Sequence, residues 1–259
     1  MPRTGDMENR CLKILDILQR EGASSVTNLA VALGVTKETI RKDLQLLAHQ
    51  EKISRIHGGA ALSGVLIPFE ERENLDSTQK RRVAAAACGL IEAGDSVLIE
   101  ASTTNSMLCE ALLAYENLLP SLTVVTNSMR IVQTLGGGTK CRMLFFLGGQ
   151  MDPQEGRACG KLTISALQTF HVNKAFLSAA ALDRQMRITA FREDDMLFQQ
   201  QAIACADKTY VLINRSKFPS SGLFSVCSVY EVSGLVSDAP FDSGIAGLLE
   251  DQHVRWIQA

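Results

Sequence analysis

Between residues 26 and 47 the apolar side chains fall on two helical stripes that meet at a glycine. Val26, Leu29, Ala30 and Leu33 recur at the i, i+3, i+4, i+7 spacing of one buried face. Gly34 supplies the turn, Thr36 is placed to cap the next helix, and Val35 with Ile40 occupies the N′ and N4 positions of a hydrophobic staple. In that second helix Ile40, Leu44 and Leu47 point inward. With Thr36 at its start, the outward face carries Lys37, Glu38, Thr39, Arg41, Lys42 and Gln45, side chains that meet base edges and phosphates when a recognition helix enters the major groove. Upstream, Cys11, Ile14, Leu15 and Leu18 mark a third amphipathic helix ended by Gly22. Downstream, Lys52-Ile-Ser-Arg-Ile-His-Gly-Gly59 reads as a short strand and glycine turn, the wing of a winged helix-turn-helix, and offers Lys52, Arg55 and His57 to DNA. A helical hairpin with a solvated face is the plainer alternative. All four parts in this order favour a module for double-stranded operator DNA.

From Leu62 to Lys80 the periodicity lapses, and Pro68 followed by Glu70-Glu-Arg-Glu-Asn74 reads as a connector. The expected division is a winged helix-turn-helix domain at residues 1–60, a linker at 61–79 and an α/β effector-binding domain at 80–259. In the last, helical and strand patterns alternate. Helices are expected over Lys80–Ile91, from about Asn105 to Leu113, from Ser128 and near Met196–Ala206. Strands are expected at Ser96–Ile99, Leu122–Val125, Met143–Leu147, Ala175–Leu177, Tyr210–Ile213 and Val232–Val236. Strands joined by helical crossovers predict a mostly parallel sheet covered on both faces.

Polar segments follow these strands directly: Glu100-Ala-Ser-Thr-Thr104, Thr126-Asn-Ser128, Gly148-Gly149 and Ser237-Asp238. The carboxyl ends of strands form the ligand crevice of an open α/β sheet, so the segments can converge although they are far apart in sequence. Hydroxyls and backbone N–H groups at the start of the helix after Thr104 suit an anion, most simply a phosphate. Taken singly, Ser102, Thr103, Thr104 and Asn127 read as helix caps and Gly148-Gly149 as a tight turn. Their shared position at one sheet edge is the argument for a site.

A chain of 259 residues with 46% hydrophobic side chains can build one small and one medium domain. Its net charge of −2 is divided as +2 over residues 1–60 (nine Lys or Arg against seven Asp or Glu) and −4 beyond (seventeen against twenty-one). So small a positive excess makes DNA binding lean on base contacts and on oligomerisation. The seven cysteines are scattered, with no C-x-x-C pair, which points to buried reduced thiols and away from zinc or a disulfide framework. The start, MPRTGDMENR, lacks the apolar core of a signal peptide, and no apolar run is long enough to span a bilayer. A cytoplasmic protein is expected.

The run Thr39-Ile-Arg-Lys-Asp-Leu44 followed by Arg55-Ile-His-Gly-Gly-Ala60 resembles the signature of the DeoR family of bacterial regulators of sugar catabolism. The family usually has a glycine at the end of the recognition helix, where this chain has Glu51, which alters the approach to the wing. The larger domain resembles the family's effector domain, which implies a fold like that of the sugar-phosphate isomerases. The family's Asp-x-Gly-Thr-Thr loop stands here as Glu100-Ala-Ser-Thr-Thr104, whereas Thr126-Asn-Ser128 and Gly148-Gly149 match directly. Its later Asp-x-Ser-Lys-Phe stands as Asn214-Arg-Ser-Lys-Phe218, and a lysine frequent on the preceding helix corresponds to Gln199. Ser102 in place of glycine changes how closely the loop can approach a phosphate. Asn214 and Gln199 remove charges, and Lys217 is left as the cation for a phosphorylated ligand.

The resemblance implies a transcriptional regulator, a repressor of a carbohydrate-catabolism operon, whose DNA affinity is controlled by a sugar phosphate. Paired half-sites imply a homo-oligomer. No cofactor, metal or catalytic residue is assigned. The competing readings are a sugar-phosphate isomerase with a DNA-binding arm, using carboxylates such as Glu100, Glu193, Asp194 and Asp195, and a regulator that no longer binds a sugar phosphate.

Overall fold

A computed structural model describes residues 4–21, 23–50, 53–56, 59–62, 69–137, 141–238, 240, 247 and 249–259. The chain divides into two compact units, residues 1–75 and 76–259.

The first unit runs α1 (Thr4–Glu21), β1 (Ala23–Ser25), α2 (Val26–Leu33), α3 (Lys37–His49), β2 (Ile53–Ile56), β3 (Gly59–Leu62) and α4 (Phe69–Asn74). Ile14, Leu18, Leu29, Ile40, Leu44 and Leu47 close one core, as the stripes predict, with Val35 packed against it. Gly34 adopts φ +64°, and its N–H bonds back to Val31 O, which ends α2. The wing strand pairs in a small antiparallel sheet of order β1-β3-β2, larger than the strand and turn expected. A Cβ on Gly59 would lie 2.3 Å from Ser24 O, so close pairing of β3 with β1 needs glycine there. Glu70–Asn74, expected as connector, belongs to α4. Buried Phe69 starts this helix and Arg72 lies over its ring at 5.6 Å, contacts that a polar run does not advertise.

The second unit opens with α5 (Ser77–Cys88), β4 (Ser96–Ile99), α6 (Thr103–Leu112), β5 (Thr123–Thr126), α7 (Met129–Gly136) and β6 (Met143–Phe146). A hairpin of β7 (Gln150–Asp152) and β8 (Arg157–Cys159) leads to α8 (Gly160–Leu167) and β9 (Val172–Ser178). Then follow β10 (Ala181–Leu182), β11 (Arg187–Ala190), α9 (Glu193–Ala204), β12 (Ala206–Ile213), β13 (Phe224–Ser228), β14 (Gly234–Ser237) and β15 (Arg255–Gln258). Seven strands form one sheet of order β15-β14-β12-β9-β4-β5-β6, and each of its pairings is parallel.

Alternation along the strands assigns the two faces. Val97 and Ile99 pack with Val83, Leu108 and Ile131 from α5, α6 and α7. Leu98 packs on the other side with Leu167 and Phe198 from α8 and α9, together with Ile188 and Val226 of the antiparallel sheet β10-β11-β13. Burying each such large side chain contributes roughly 1.5–3 kcal/mol. The seven cysteines are all buried and form no disulfide, and burial pushes Cys88 up to about 11 and Cys227 up to about 12. Among the described residues no helix is long and apolar enough to cross a membrane, and no group of His, Cys, Asp and Glu could hold a metal ion.

Candidate functional site

The first unit presents the α3 face. Thr36 caps the helix, its hydroxyl accepting from the Thr39 N–H at 3.2 Å, and the two hydroxyls lie 2.9 Å apart. Lys37, Glu38, Arg41, Lys42 and Gln45 are exposed and Thr39 is half-buried. Arg41 meets Glu38 at 3.3 Å, but both side chains are largely in water, so this ion pair holds the guanidinium only weakly. Arg55 lies in β2 opposite Ala60, while Lys52 and His57, like Glu51, fall outside the described residues.

Asp43, which the sequence reading left without a role, is 1% exposed. Arg10 of α1 grips it with two bonds, Nε to Oδ2 at 2.5 Å and Nη2 to Oδ1 at 2.9 Å. This fork ties α1 to the inner face of α3 and fixes how the polar face is presented. The available signal was a carboxylate interrupting an apolar stripe, three residues after Ile40.

In the second unit the polar segments do meet at the carboxyl edge of the sheet. Ser102 has an extended backbone, φ −160°, so this position does not need glycine; its hydroxyl caps α6 by accepting from Asn105 N–H at 3.0 Å. Thr103 and Thr104 occupy the first helical positions and are buried, and helix geometry leaves N–H groups there without intrahelical acceptors. Thr126 donates its hydroxyl to Ile99 O at 2.7 Å. Asn127 bridges two loops, accepting from Ala101 N–H at 2.9 Å and donating to Ala158 O at 3.1 Å. Ser128 caps α7. The side chains of Ser102, Thr126, Asn127 and Ser128 therefore shape the edge by bonding to backbone. Gly148 is exposed; Gly149, at φ +141°, would put a Cβ 2.2 Å from Thr163 Oγ1.

Glu100 is the centre of the edge. It is 3% exposed, accepts from Ser178 N–H at 2.9 Å and takes the Gln199 amide at 2.8 and 3.1 Å. Burial pushes its carboxyl up to about 7, opposed by the Ser178 and Gln199 hydrogen bonds; Asp195 adds a lesser upward push and Arg157 a lesser downward one. Arg157, also absent from the sequence reading, is 5% exposed and pairs through Nη1 with Asp195 Oδ1. Burial opposes the Arg157 charge, and Asp195 more than offsets that, so the net shift is upward. Its sequence signal was faint: one arginine after the turn at Gly156, at the start of a three-residue strand. Lys217 reaches the same edge, its Nζ donating to Ala179 O at 2.6 Å beyond β9. Gln199 also donates to Ser178 O at 3.2 Å. Asn214 is buried just after β12, and its carbonyl accepts from Lys217 N–H at 3.0 Å. Ser237 ends β14 and Asp238 accepts from Arg215 N–H at 2.7 Å. The edge thus joins hydroxyls, helix-start N–H groups, two cations, the buried carboxyl of Glu100 and the half-buried one of Asp195.

Comparison with known proteins bears on both units. The DeoR-like helix-turn-helix domain matches residues 10–63 and the DeoR C terminal sensor domain matches residues 75–239. The chain is 31% identical to the HTH-type transcriptional regulator YulB of Bacillus subtilis, over 94% of this chain and 93% of that one. It is 27% identical to the glycerol-3-phosphate regulon repressor of Escherichia coli, over 93% of this chain and 95% of the relative. Among solved structures, ribose 5-phosphate isomerase A from Methanocaldococcus jannaschii overlays with a TM-score of 0.39 at 15% identity, over 55% of this chain and 54% of the other. Translation initiation factor eIF-2B from Pyrococcus horikoshii overlays at 0.46 with 12% identity, over 89% and 81%. With both domain matches in order along it, the chain belongs to the DeoR family.

Proposed function

We propose that this protein is a transcriptional repressor of a carbohydrate-catabolism operon, with operator affinity set by a phosphorylated sugar. The observation that carries the reading is the convergence of Glu100–Thr104, Thr126–Ser128, Gly148-Gly149 and Lys217 on one sheet edge, in a chain whose other unit exposes a polar helix face. On the α3 face Arg41, Lys42 and Gln45 read bases, and Lys52, Arg55 and His57 follow the backbone. At the sheet edge the N–H groups at the start of α6 and the Lys217 ammonium take the phosphate. The ligand acts by binding the DNA-competent and DNA-incompetent arrangements with different affinity. Homo-oligomers in the cytoplasm reading paired half-sites complete the proposal. The glycerol-3-phosphate regulon repressor of Escherichia coli and the lactose phosphotransferase system repressor of Streptococcus mutans, the latter 26% identical over 93% of this chain, support it by their names.

The reading is binding without turnover. Gln199, which faces Glu100, and Asn214 stand where the family pattern usually carries charge, and neither has a titrating proton to exchange with a sugar. The test is fluorescence anisotropy of the full chain on DNA from upstream of its own operon, with and without sugar phosphates. Operator binding that exceeds random DNA and weakens with a sugar phosphate is expected. No preference over random DNA, or catalytic isomerisation of the ligand followed by NMR, overturns the reading.

A further inference from the structure

At the inner end of the strand-edge site Glu100 and Gln199 leave an acceptor without a donor, although the Nε of Arg157, which pairs with Asp195, is a buried donor without a partner among the described residues. The Gln199 amide orientation is forced, because its NH2 faces the Glu100 carboxylate at 2.8 Å and Ser178 O at 3.2 Å. Its Oε1 is then left, buried, with no hydrogen-bond partner among the described residues. Asn105 is fixed in the same way. Its NH2 donates to Glu100 O at 2.9 Å and Phe176 O at 3.0 Å, and its fully buried Oδ1 has no partner among the described residues. The Gln199 oxygen, which cannot turn away, therefore lies beside the carboxylate, while Asn105 is held by the Glu100 backbone.

Charge tells the same story. Glu100 and Asp195 bring two carboxylates to one buried guanidinium, Arg157, and that guanidinium is paired directly with Asp195. The direct partners of Glu100 are neutral: the Ser178 N–H and the Gln199 amide. A buried carboxylate beside the unsatisfied Gln199 oxygen fits a group that is cationic and rich in N–H, and an ammonium has three donors to offer.

We infer that the effector carries an ammonium group as well as a phosphate: the site takes a phosphorylated amino sugar, its nitrogen seated against Glu100 and the free oxygen of Gln199. This rests on the effector reading proposed above and adds its chemical class. A neutral hydroxyl in the same place brings one donor and no charge, so it satisfies fewer of these oxygens.

Calorimetric titration of the full chain at neutral pH separates the possibilities, using glucosamine 6-phosphate against glucose 6-phosphate and galactosamine 6-phosphate against galactose 6-phosphate. In at least one pair the amino sugar should bind tenfold or more tighter than its neutral partner. Glu100→Gln should collapse that preference to about twofold or less. Gln199→Lys should do the same with the carboxylate intact, since the new ammonium takes the ligand's place, and it serves if Glu100→Gln folds poorly. Equal or tighter binding of both neutral sugars overturns the inference and leaves the effector site standing, as does a preference that survives Gln199→Lys. Absence of binding by all four compounds removes the effector reading and this inference together.

Discussion

Replacing Glu100 with glutamine should make the second unit more stable in alkaline than in acidic solution relative to the parent chain. The native carboxyl is pushed up to about 7 from 4.5, chiefly by burial. Between those values the folded state keeps a proton that the unfolded chain has released, so stability falls as pH rises, and the loss levels off above pH 7. Each pKa unit corresponds to about 1.4 kcal/mol, so the full loss is about 3 kcal/mol, of which about 2–3 kcal/mol accrues between pH 5 and pH 8. Asp195 and Arg157, the charged groups facing Glu100, act on it in opposite directions, and neither is altered by the substitution. Glutamine has no proton to lose. It can still accept from Ser178 N–H, but its own NH2 meets that of Gln199, whose amide must turn over and surrender its bond to Ser178 O. That rearrangement costs about 1 kcal/mol, independent of pH. Urea titrations followed by the fluorescence of Trp256, the single tryptophan, report on this unit alone. The stability difference, variant minus parent, should rise by about 2–3 kcal/mol from pH 5 to pH 8. A difference that is the same at both pH values would refute the argument, because the carboxylate would then be solvated well enough to ionise at its ordinary pKa.

Four further outcomes are expected. Arg41→Ala should cost about 1–3 kcal/mol at the operator while leaving random DNA nearly unchanged, read by anisotropy on both sequences. Arg10→Ala leaves Asp43 buried without its guanidinium fork and should lower the stability of the first unit by about 3–5 kcal/mol, seen in a thermal melt; Asp43→Asn in the Arg10→Ala background should recover part of the loss. Lys217→Ala should weaken a sugar phosphate more than the same sugar without phosphate, measured by calorimetry. Gly149→Ala combines a left-handed φ of +141° with a Cβ 2.2 Å from Thr163 Oγ1, and should lower the melting temperature of the second unit through strain of about 1–3 kcal/mol.

What the chain settled locally is whatever depends on spacing over a few residues. Stripes such as Ile40, Leu44 and Leu47, the turn at Gly34 and the cap at Thr36 need only the helical repeat, and they place the α3 face as expected. Six of the seven parallel strands were legible as short apolar runs, and the polar residues after them marked the edge where the sites meet, whereas β15, with only Trp256 and Ile257 apolar, was not. Several features escaped because their cause lies elsewhere in the chain. Strands β7, β8, β10 and β11 have two to four residues, too few to show a period, and exist because a neighbour pairs with them. Arg10 and Asp43 look like surface charges until packing sets them side by side across 33 residues. Gln199 reads as a lost lysine in the sequence, yet folding brings it 99 residues back to hold Glu100. Thr126 and Asn127 were recognised as edge residues, but only the tertiary structure shows their polar atoms turned to Ile99, Ala101 and Ala158. Periodicity records which face of an element is buried, while the partner of a buried polar group is decided by which distant backbone or side chain the fold sets within hydrogen-bond reach.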